Sequence, residues 1–238
     1  MINSNEAELI GMHTGDGTLY LSGKTRVWEM RGSIHEQEYY TYVAEIIRNI
    51  LQIELKPKFR GPNSYGIQTT NKTLTQFFIE KGFKPGKKVY TVRIPDYIKL
   101  GEVEIKRSFI RGLFDADCCI YFDKNKTSFN YYPRIEFNSA SHNLITDLIN
   151  LLKELGFRLH FWNSGTCKSL CLSGFQNLDK WMEEIKPANS KHILRFQKGI
   201  ANKSKINLKK KSINLKSPLS SINLSPDGTA VTARGCYS

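Results

Sequence analysis

An internal duplication constrains the fold of this chain more than any other feature of its sequence. The nonamer Leu9–Gly17, LIGMHTGDG, is similar to Ile110–Cys118, IRGLFDADC, with an offset of 101 residues between matching positions. Downstream, WEMRGSIH at 28–35 is similar to IEFNSASH at 135–142, at a slightly larger offset. Similar blocks in the same order indicate two copies of one structural unit.

The hydrophobic pattern in each copy predicts the order helix, two strands, helix, two strands, helix. After each second block, apolar residues recur at helical spacing; they are Tyr39, Val43, Ile46, Ile47 and Ile50, or Leu144, Leu148, Leu151, Leu152 and Leu155. A basic hairpin, a third helix (about 71–81 and 174–185) and a lysine-bearing segment complete each copy. We therefore predict an α+β fold of two pseudo-symmetric αββαββα halves, 1–100 and 101–201, followed by a basic flexible tail, 202–238.

Alternation within the strands predicts that each sheet has one apolar and one open face. The residues expected on the apolar face are Trp28, Met30, Leu55, Pro57 and Phe59 in one half and Ile135, Phe137, Phe157, Leu159 and Phe161 in the other. Basic and polar residues alternate with them, and the aromatic residues interleaved among these are Tyr20, Tyr121, Tyr132 and Trp162. Helices on one face and basic, aromatic residues on the other indicate a sheet that binds a polyanion.

The net charge supports the same kind of partner. The formal charge is +13 and the isoelectric point about 9.5, which favours a nucleic acid, with an anionic membrane surface as the lesser alternative. We expect the nucleic acid to be double-stranded DNA. No apolar run approaches the ~20 residues of a membrane span, so we expect no membrane insertion. The tail is rich in lysine and contains Pro218, Pro226 and Gly228. It suits either a solvated appendage or a DNA-clamping arm.

Cysteine usage predicts an intracellular protein. Five cysteines, an odd number in a chain of this length, favour a reducing compartment without a disulfide framework. Cys167 and Cys171 lack a second pair at zinc-finger spacing, so we interpret them as strand residues. No signal-peptide pattern opens the chain. We expect the cytoplasm or nucleoid, or an organellar matrix, and no secretion.

Small residues in the two nonamers predict a close helix contact. Gly11 and Gly15 are four residues apart, and Gly112 and Ala116 repeat that spacing. Small residues at this spacing flatten one face of a helix, so two such helices can approach closely.

The same contact brings two carboxylates together, because Asp16 and Asp117 each follow the second small residue. The carbonyl end of a helix disfavours an anion by roughly 0.3–1 kcal/mol, and two close carboxylates repel each other. A divalent cation would offset both effects, and hard oxygen ligands suit Mg²⁺, with Mn²⁺ as a substitute. This pair therefore predicts metal-assisted hydrolysis of a phosphodiester by a metal-activated water.

Lys88 and Lys191 are the second pair of candidate catalytic residues. They occupy matching places in the two halves, where an ammonium group could stabilise developing negative charge or orient the attacking water. An ordinary solvated lysine is the competing interpretation for each. His35 and His142 also match, at the start of the middle helices, and there a capping or packing role is expected.

Basic, polar and aromatic side chains on the strands and turns are the candidate DNA contacts. In the first half they are Tyr20, Lys24, Arg26, Glu29, Arg31, Lys56, Lys58, Arg60 and Gln68. In the second half they are Tyr121, Lys124, Lys126, Arg134, Glu136, Asn138, Arg158, His160, Trp162 and Lys168.

The two nonamers resemble the paired signature helices of LAGLIDADG homing endonucleases. The phrase RIPDYI at 93–98, leading into FIRGLFDAD at 109–117, is similar to the stretch entering the second signature in archaeal and intein-encoded members. The likeness covers about residues 6–200. It implies a saddle whose two sheets occupy successive major grooves, and cleavage across the minor groove that leaves 3′ overhangs at a long, partly degenerate site.

The resemblance also implies roles for individual residues. Asp16 and Asp117 become metal ligands, joined by the backbone carbonyls of Gly15 and Ala116. Lys88 and Lys191 match the basic catalytic positions of that family, and a single chain with both signatures implies a monomer that acts in intron homing.

Two departures from the signature pattern stand out. Cys118 replaces the glycine that ends the second motif, where a left-handed residue is common, and a non-glycine there costs on the order of 1 kcal/mol. His13 and Thr14 stand where the first motif often has an apolar residue and an acid. Neither departure removes a proposed ligand.

Two other functions suit the same fold. One is an RNA-binding maturase that assists intron splicing, with intron RNA as its partner, and the other is a DNA-binding regulator that does not cut. Both aspartates are present, which favours a nuclease, because binding alone does not require an acidic pair within a basic groove.

Overall fold

The first half contains three helices and one four-stranded sheet. The computed structural model describes residues 2–124 and 131–201 of the chain. The elements of this half are α1 (Ser4–Gly15), β1 (Thr18–Ser22), β2 (Thr25–Ser33), α2 (Gln37–Leu51), β3 (Lys58–Gly61), β4 (Ser64–Thr69) and α3 (Lys72–Glu80). A 3-10 turn, Ile34–Glu36, leads into α2, and a short helix, α4 (Asp96–Lys99), precedes the second half.

The second half repeats this order. Its elements are α5 (Val103–Asp117), β5 (Cys119–Lys124), β6 (Tyr131–Ser139), α6 (His142–Glu154), β7 (His160–Ser164), β8 (Cys167–Ser173) and α7 (Phe175–Glu184), and residues 190–201 are helical. The predicted αββαββα order is therefore confirmed in both halves. Cys167 and Cys171 lie in β8, as expected, and are free thiols.

Local sequence explains where the helices begin. Asn3 caps α1: its side chain accepts a hydrogen bond from the Glu6 N–H at 2.9 Å, and the Glu6 carboxylate accepts from the Asn3 N–H at 3.1 Å. Ser33 forms the same reciprocal box with Glu36 before α2, and the Ser141 hydroxyl caps α6. The capping role suggested for His35 thus belongs to Ser33, two residues earlier, and the one suggested for His142 belongs to Ser141, immediately before it.

Both sheets are antiparallel and have the same topology. Their strand orders are β1-β2-β4-β3 and β5-β6-β8-β7. Each sheet contains strands from one half only.

Helices cover one face of each sheet, as the alternation predicts. Trp28, Met30, Ile135 and Phe137 are at most 2% exposed and belong to a hydrophobic core that both halves share. Among the residues that the structure describes, no helix is long and apolar enough to span a membrane.

The outer strands correct one part of the prediction. Phe59 in β3 and Phe161 in β7 are 65% and 50% exposed, although the alternation placed them on the covered face. Each pairs with a residue of the inner strand on that same side, Tyr65 or Leu170. Both side chains therefore lie on the predicted face of the sheet. They are exposed because β3 and β7 are edge strands, and the helices do not cover the edges of the sheets.

Candidate active site and nucleic-acid interface

Two helices, α1 and α5, pack against each other at backbone distance in the centre of the molecule. A Cβ added to Gly11 would lie 2.1 Å from the carbonyl oxygen of Phe109, and one added to Gly112 would lie 2.1 Å from that of Glu8. A Cβ on Gly15 would lie 2.9 Å from the Cβ of Ala116. The predicted contact through small residues is therefore confirmed, and a larger side chain would force the helices apart.

A buried ion pair joins the same two helices. Arg111 of α5 donates from Nε to one carboxylate oxygen of Glu8 at 2.9 Å, and its Nη2 lies 2.7 Å from the same oxygen. The Tyr42 hydroxyl donates to the other oxygen at 2.7 Å. Glu8 is 1% exposed, so its charge is stabilised by these bonds and not by water. Sequence reasoning missed this pair, because nothing in the pattern shows which residues of the two helices face each other.

The helix contact places the two aspartates side by side. Asp16 directly follows α1, with its N–H donating to the carbonyl of Met12, and Asp117 is the last residue of α5. The Cβ position of Gly15 lies 3.1 Å from the Cβ of Asp117. Both carboxylates therefore stand at the carbonyl ends of the helices, as the duplication predicted.

The electrostatics of this pair are unfavourable in the protein alone. Partial burial, followed by the charge of Asp117, raises the pKa of Asp16 to about 7. Burial also raises the pKa of Asp117, against the opposing charges of Lys88 and Lys191. Within residues 2–124 and 131–201, neither carboxylate accepts a protein hydrogen bond or forms an ion pair, so both retain free oxygen lone pairs.

Lys88 caps the last turn of α1. Its ammonium group donates to the carbonyl oxygens of His13, Thr14 and Gly15 at 2.5, 2.6 and 2.7 Å. Burial lowers its pKa to about 8, although Asp117 and Asp16 act in the opposite direction. All three ammonium protons thus have acceptors at a negative helix end.

Lys191 is held differently from its counterpart. Its ammonium group forms an ion pair with Glu36 of the first half at 2.8 Å, and the side-chain amide of Asn189 donates to the same oxygen at 2.8 Å. These bonds, together with the Lys191 charge, lower the pKa of Glu36 against the effect of its burial. Asn189 also donates to the carbonyl of Asp115, so an amide stabilises the end of α5 where a lysine stabilises α1.

The departures from the signature pattern have structural explanations. His13 is 1% exposed, accepts a hydrogen bond from the Trp28 indole at 3.1 Å and packs between the rings of Phe78 and Phe83. Burial, followed by the charge of Lys88, holds its pKa well below the ordinary value. It therefore acts as a neutral core residue.

The expected cost at Cys118 is wrong. Cys118 has φ −124° and ψ 178°, an extended conformation that any residue adopts, so no left-handed strain arises there. Gly17, its counterpart, is required for space instead: a Cβ would lie 2.3 Å from Nδ1 of His13.

A second buried carboxylate, Asp115, lies within the signature of α5. Asp115 is fully buried and accepts from the N–H of Ala188 at 2.7 Å, while burial raises its pKa to about 7. The buried ring of His192 packs on Phe114 at 4.3 Å and lies 3.9 Å from Asp115. Burial lowers the pKa of His192 to about 3, so this contact is not an ordinary salt bridge.

The residues at the helix ends fit a divalent metal ion. The described part of the chain contains no group of three or more His, Cys, Asp or Glu residues arranged to hold a metal. The donor set consists instead of two carboxylates with free lone pairs and the nearby carbonyls of Gly15 and Ala116, of which the first already accepts from Lys88. Such an oxygen set suits Mg²⁺, which keeps several waters and takes further ligands from phosphate.

Most of the candidate DNA contacts lie on the open faces of the sheets. Strand register and the buried alternate residues place these side chains there: Tyr20, Glu29, Arg31, Lys58, Arg60 and Gln68 on the first sheet and Tyr121, Arg134, Glu136, Asn138, His160 and Trp162 on the second. On the first sheet, Arg60 donates to the side-chain oxygen of Gln68, whose amide donates to the Tyr20 hydroxyl. These hydrogen bonds fix the relative orientation of the three side chains on the open face of the sheet.

Other candidates lie elsewhere. Arg26 donates to Gln76 of α3, and Lys168 donates to Thr146 of α6, so both lie on the helix-bearing side because their strand positions have the opposite parity. Lys56 and Arg158 precede the outer strands, and Lys24 lies in the β1–β2 turn. The side chain of Lys124, Lys126 and the 202–238 tail lie outside the described residues.

Comparisons with known proteins agree with this architecture. Residues 104–185 match the family model of the LAGLIDADG-like domain. An uncharacterized protein of Methanocaldococcus jannaschii is 31% identical over 160 residues, which are 65% of this chain and 17% of that protein. The chain therefore spans about a sixth of the length of the curated relative that it matches.

Solved structures of homing endonucleases share the fold. I-DmoI in complex with DNA and Ca matches with a TM-score of 0.54 at 18% identity, over 76% of this chain and 88% of that one. The LAGLIDADG meganuclease I-AabMI, bound to uncleaved DNA, matches with a TM-score of 0.56 at 13% identity, over 89% and 92%. Residues 104–185 thus match the LAGLIDADG-like domain, and the chain shares its fold with solved structures of LAGLIDADG homing endonucleases.

Proposed function

We propose that this protein is a site-specific homing endonuclease that makes metal-dependent double-strand cuts in DNA at a long recognition site. The observation that carries the proposal is the pair Asp16 and Asp117, two carboxylates without protein partners among the described residues, held together at the ends of α1 and α5. Mutual repulsion and burial make this arrangement unfavourable for the protein alone. Because the pair lies beside two open sheet faces, the arrangement is best explained by the binding of a cation and a phosphodiester substrate at the two carboxylates.

The structural neighbours support the same reaction class. I-DmoI is described in complexes with DNA and Ca and with DNA and Mn, and I-AabMI is described as bound to uncleaved DNA. These proteins share the fold of this chain at 13–18% identity, and we infer DNA binding, a divalent metal ion and cleavage for this chain from that fold together with its aspartate pair.

The proposed metal ligands are Asp16 and Asp117 with the carbonyls of Gly15 and Ala116, and Mg²⁺ is the expected ion, with Mn²⁺ as a substitute. When bound, the ion supplies activation of a water nucleophile and stabilisation of the leaving oxygen. Among the described residues, Glu36 is the one ion-pair partner of the Lys191 ammonium group, so its other protons can bind a water or a phosphate oxygen. Lys88 keeps the α1 end, and with it Asp16, in position.

The sheets orient the substrate. Lys58 and Arg31 suit the phosphates, and Arg60, Gln68 and Tyr20 form a connected polar group that suits base edges. The protein is proposed to act as a monomer, since one chain holds both aspartates.

Replacement of either aspartate tests the proposal. Asp16→Asn or Asp117→Asn removes a charge and a ligand with little change in volume, and we expect double-strand cleavage to fall at least 100-fold. The substrate is a plasmid that carries the intronless junction of the host gene, incubated with Mg²⁺ or Mn²⁺ and resolved on a gel. Binding to the same DNA without metal should persist or tighten, because repulsion from phosphates is relieved.

Asp179→Asn is the matched control, since Asp179 is an exposed residue of α7 and its replacement should leave cleavage unchanged. Normal cutting by both active-site variants would show that the assignment is wrong. Tight binding by the wild-type protein without any cleavage would instead favour a regulator or an intron maturase.

A further inference from the structure

Glu29 and Glu136 occupy equivalent places at the centre of the two open faces. In the strand register, Glu29 lies opposite Thr18 and Glu136 lies opposite Cys119. Thr18 and Cys119 are each the second residue after the aspartate of their half. Each glutamate is therefore paired with the residue two positions after the aspartate of its own half.

Both glutamates face away from the helices. The residues that flank them in β2 and β6 are buried on the covered side: Trp28, Met30, Ile135 and Phe137. Both glutamates also lie in inner strands, paired on both sides. Their carboxylates are therefore fixed near the middle of each sheet and not at a mobile edge.

In the described part of the chain, neither carboxylate has a cationic partner closer than 3.7 Å. Glu136 accepts a hydrogen bond from the Tyr121 hydroxyl at 2.6 Å, while its neighbour Arg134 pairs with Asp123 at 2.5 Å. Glu29 has one loose contact, 3.7 Å to Arg31, whose side chain is 59% exposed. Each glutamate thus keeps acceptor capacity toward whatever lies on the sheet.

Such carboxylates are repelled by phosphates, so on a DNA-binding face they require a hydrogen-bond donor from a base. In the major groove the donors are the amino groups of cytosine and adenine. The adenine amino group lies between two acceptors, N7 of the same base and O4 of thymine, which repel a carboxylate. The cytosine N4 amino group has only one such neighbour, O6 of guanine, so a carboxylate favours cytosine.

We propose that Glu29 and Glu136 each read a cytosine through its N4 amino group, at corresponding positions of the two half-sites. This inference rests on the proposed function, because it requires the open faces to lie in the major groove. The DNA target is accordingly expected to contain one cytosine in each half-site, at the same distance from the centre of the site. One cytosine is read by each sheet. Tyr121 is a positioning residue, which holds the Glu136 carboxylate.

The test is selection of bound sequences from a randomised DNA library with Ca²⁺ in place of Mg²⁺, so that binding is measured without dependence on cleavage. The wild-type protein should select cytosine at two positions related by the centre of the site. Glu29→Gln should change the preference to adenine at one of them, and Glu136→Gln at the other, because an amide side chain pairs with N6 and N7 of adenine. Affinity for the wild-type site should fall about tenfold or more in each variant.

Glu45→Gln makes the same charge change on the exposed side of α2 and should leave the base preference at both positions of the DNA site unchanged. Tyr121→Phe should weaken the preference for cytosine only at the position read by Glu136. If the wild-type protein selects a defined site but the glutamine variants select the same bases, the inference is wrong and the proposed function stands. If the wild-type protein selects no sequence, both are overturned.

Discussion

At the scale of the residue, burial and the charge of Asp117 disfavour the ionised form of Asp16. The pKa of Asp16 rises from 3.8 to about 7 through burial and the neighbouring Asp117. The folded protein therefore binds this proton more tightly than the unfolded chain does, and stability falls as pH rises from about 4 to about 7. Above pH 7 the whole penalty is present unless a cation relieves it.

Asp16→Asn should consequently raise the melting temperature of the metal-free protein at pH 8, where the carboxylate is charged, and should have little effect at pH 4. Each kcal/mol of relieved repulsion corresponds to about 2–4 °C for a chain of this size. The measurement is thermal unfolding in EDTA across that pH range. Addition of Mg²⁺ should stabilise the wild-type protein but not the variant, and an equal response of the two would argue against Asp16 as a ligand.

The two lysines show how equivalent residues acquire different roles. Lys88 is saturated by three carbonyls of α1, whereas Lys191 has one acidic partner, Glu36, from the opposite half. The duplication predicts their shared location but not this difference, because it depends on residues outside the repeated blocks.

At the scale of the element, the α1–α5 contact determines the distance between the aspartates. Alanine in place of a helical glycine ordinarily stabilises a helix by roughly 0.5–1 kcal/mol. At Gly11 the added Cβ would lie 2.1 Å from a backbone oxygen of α5, and backbone cannot yield as a flexible side chain can. The sign of the effect is therefore diagnostic.

We expect Gly11→Ala to destabilise the protein by about 1–3 kcal/mol, the usual cost of overpacking, as measured by urea denaturation. Cleavage should decrease as well, because the helix ends would separate. Asn5→Ala, on an exposed position of the same helix, is the control for helix propensity. A more stable Gly11→Ala variant would show that the helices can separate without cost.

At the scale of the whole molecule, the proposed binding to DNA depends on the positive charge of the chain and on the two open sheet faces. The tail, 202–238, is predicted from its composition to be a flexible, basic extension, and it lies outside the described residues. Its lysines would add phosphate contacts, whose contribution decreases as salt rises.

Deletion of 202–238 should leave the melting temperature unchanged and weaken DNA binding mainly at low salt. The measurement is the dissociation constant over a series of salt concentrations, where the slope of log K against log salt should become shallower for the truncated protein. Loss of soluble protein on truncation would show instead that the tail packs on the folded halves.

Sequence periodicity and duplication were sufficient for the fold class, the order of elements, the small-residue contact and the location of both aspartates. These features are local or repeated, so a period of two or of 3.6 residues and a constant offset reveal them. The same reasoning was right about the direction of Phe59 and Phe161 but not about their exposure, because the cover that helices give to an edge strand is a property of packing.

Tertiary structure alone decided the contacts between distant residues. Arg111 with Glu8 and Lys191 with Glu36 both join segments far apart in the chain. The conformation at Cys118 was equally a matter of the path that the chain takes into β5. Residue types and their spacing determined which groups the site would contain. The packing of two similar halves determined which of those groups are paired and which stay free to bind a ligand, because pairing depends on distances that only the folded chain defines.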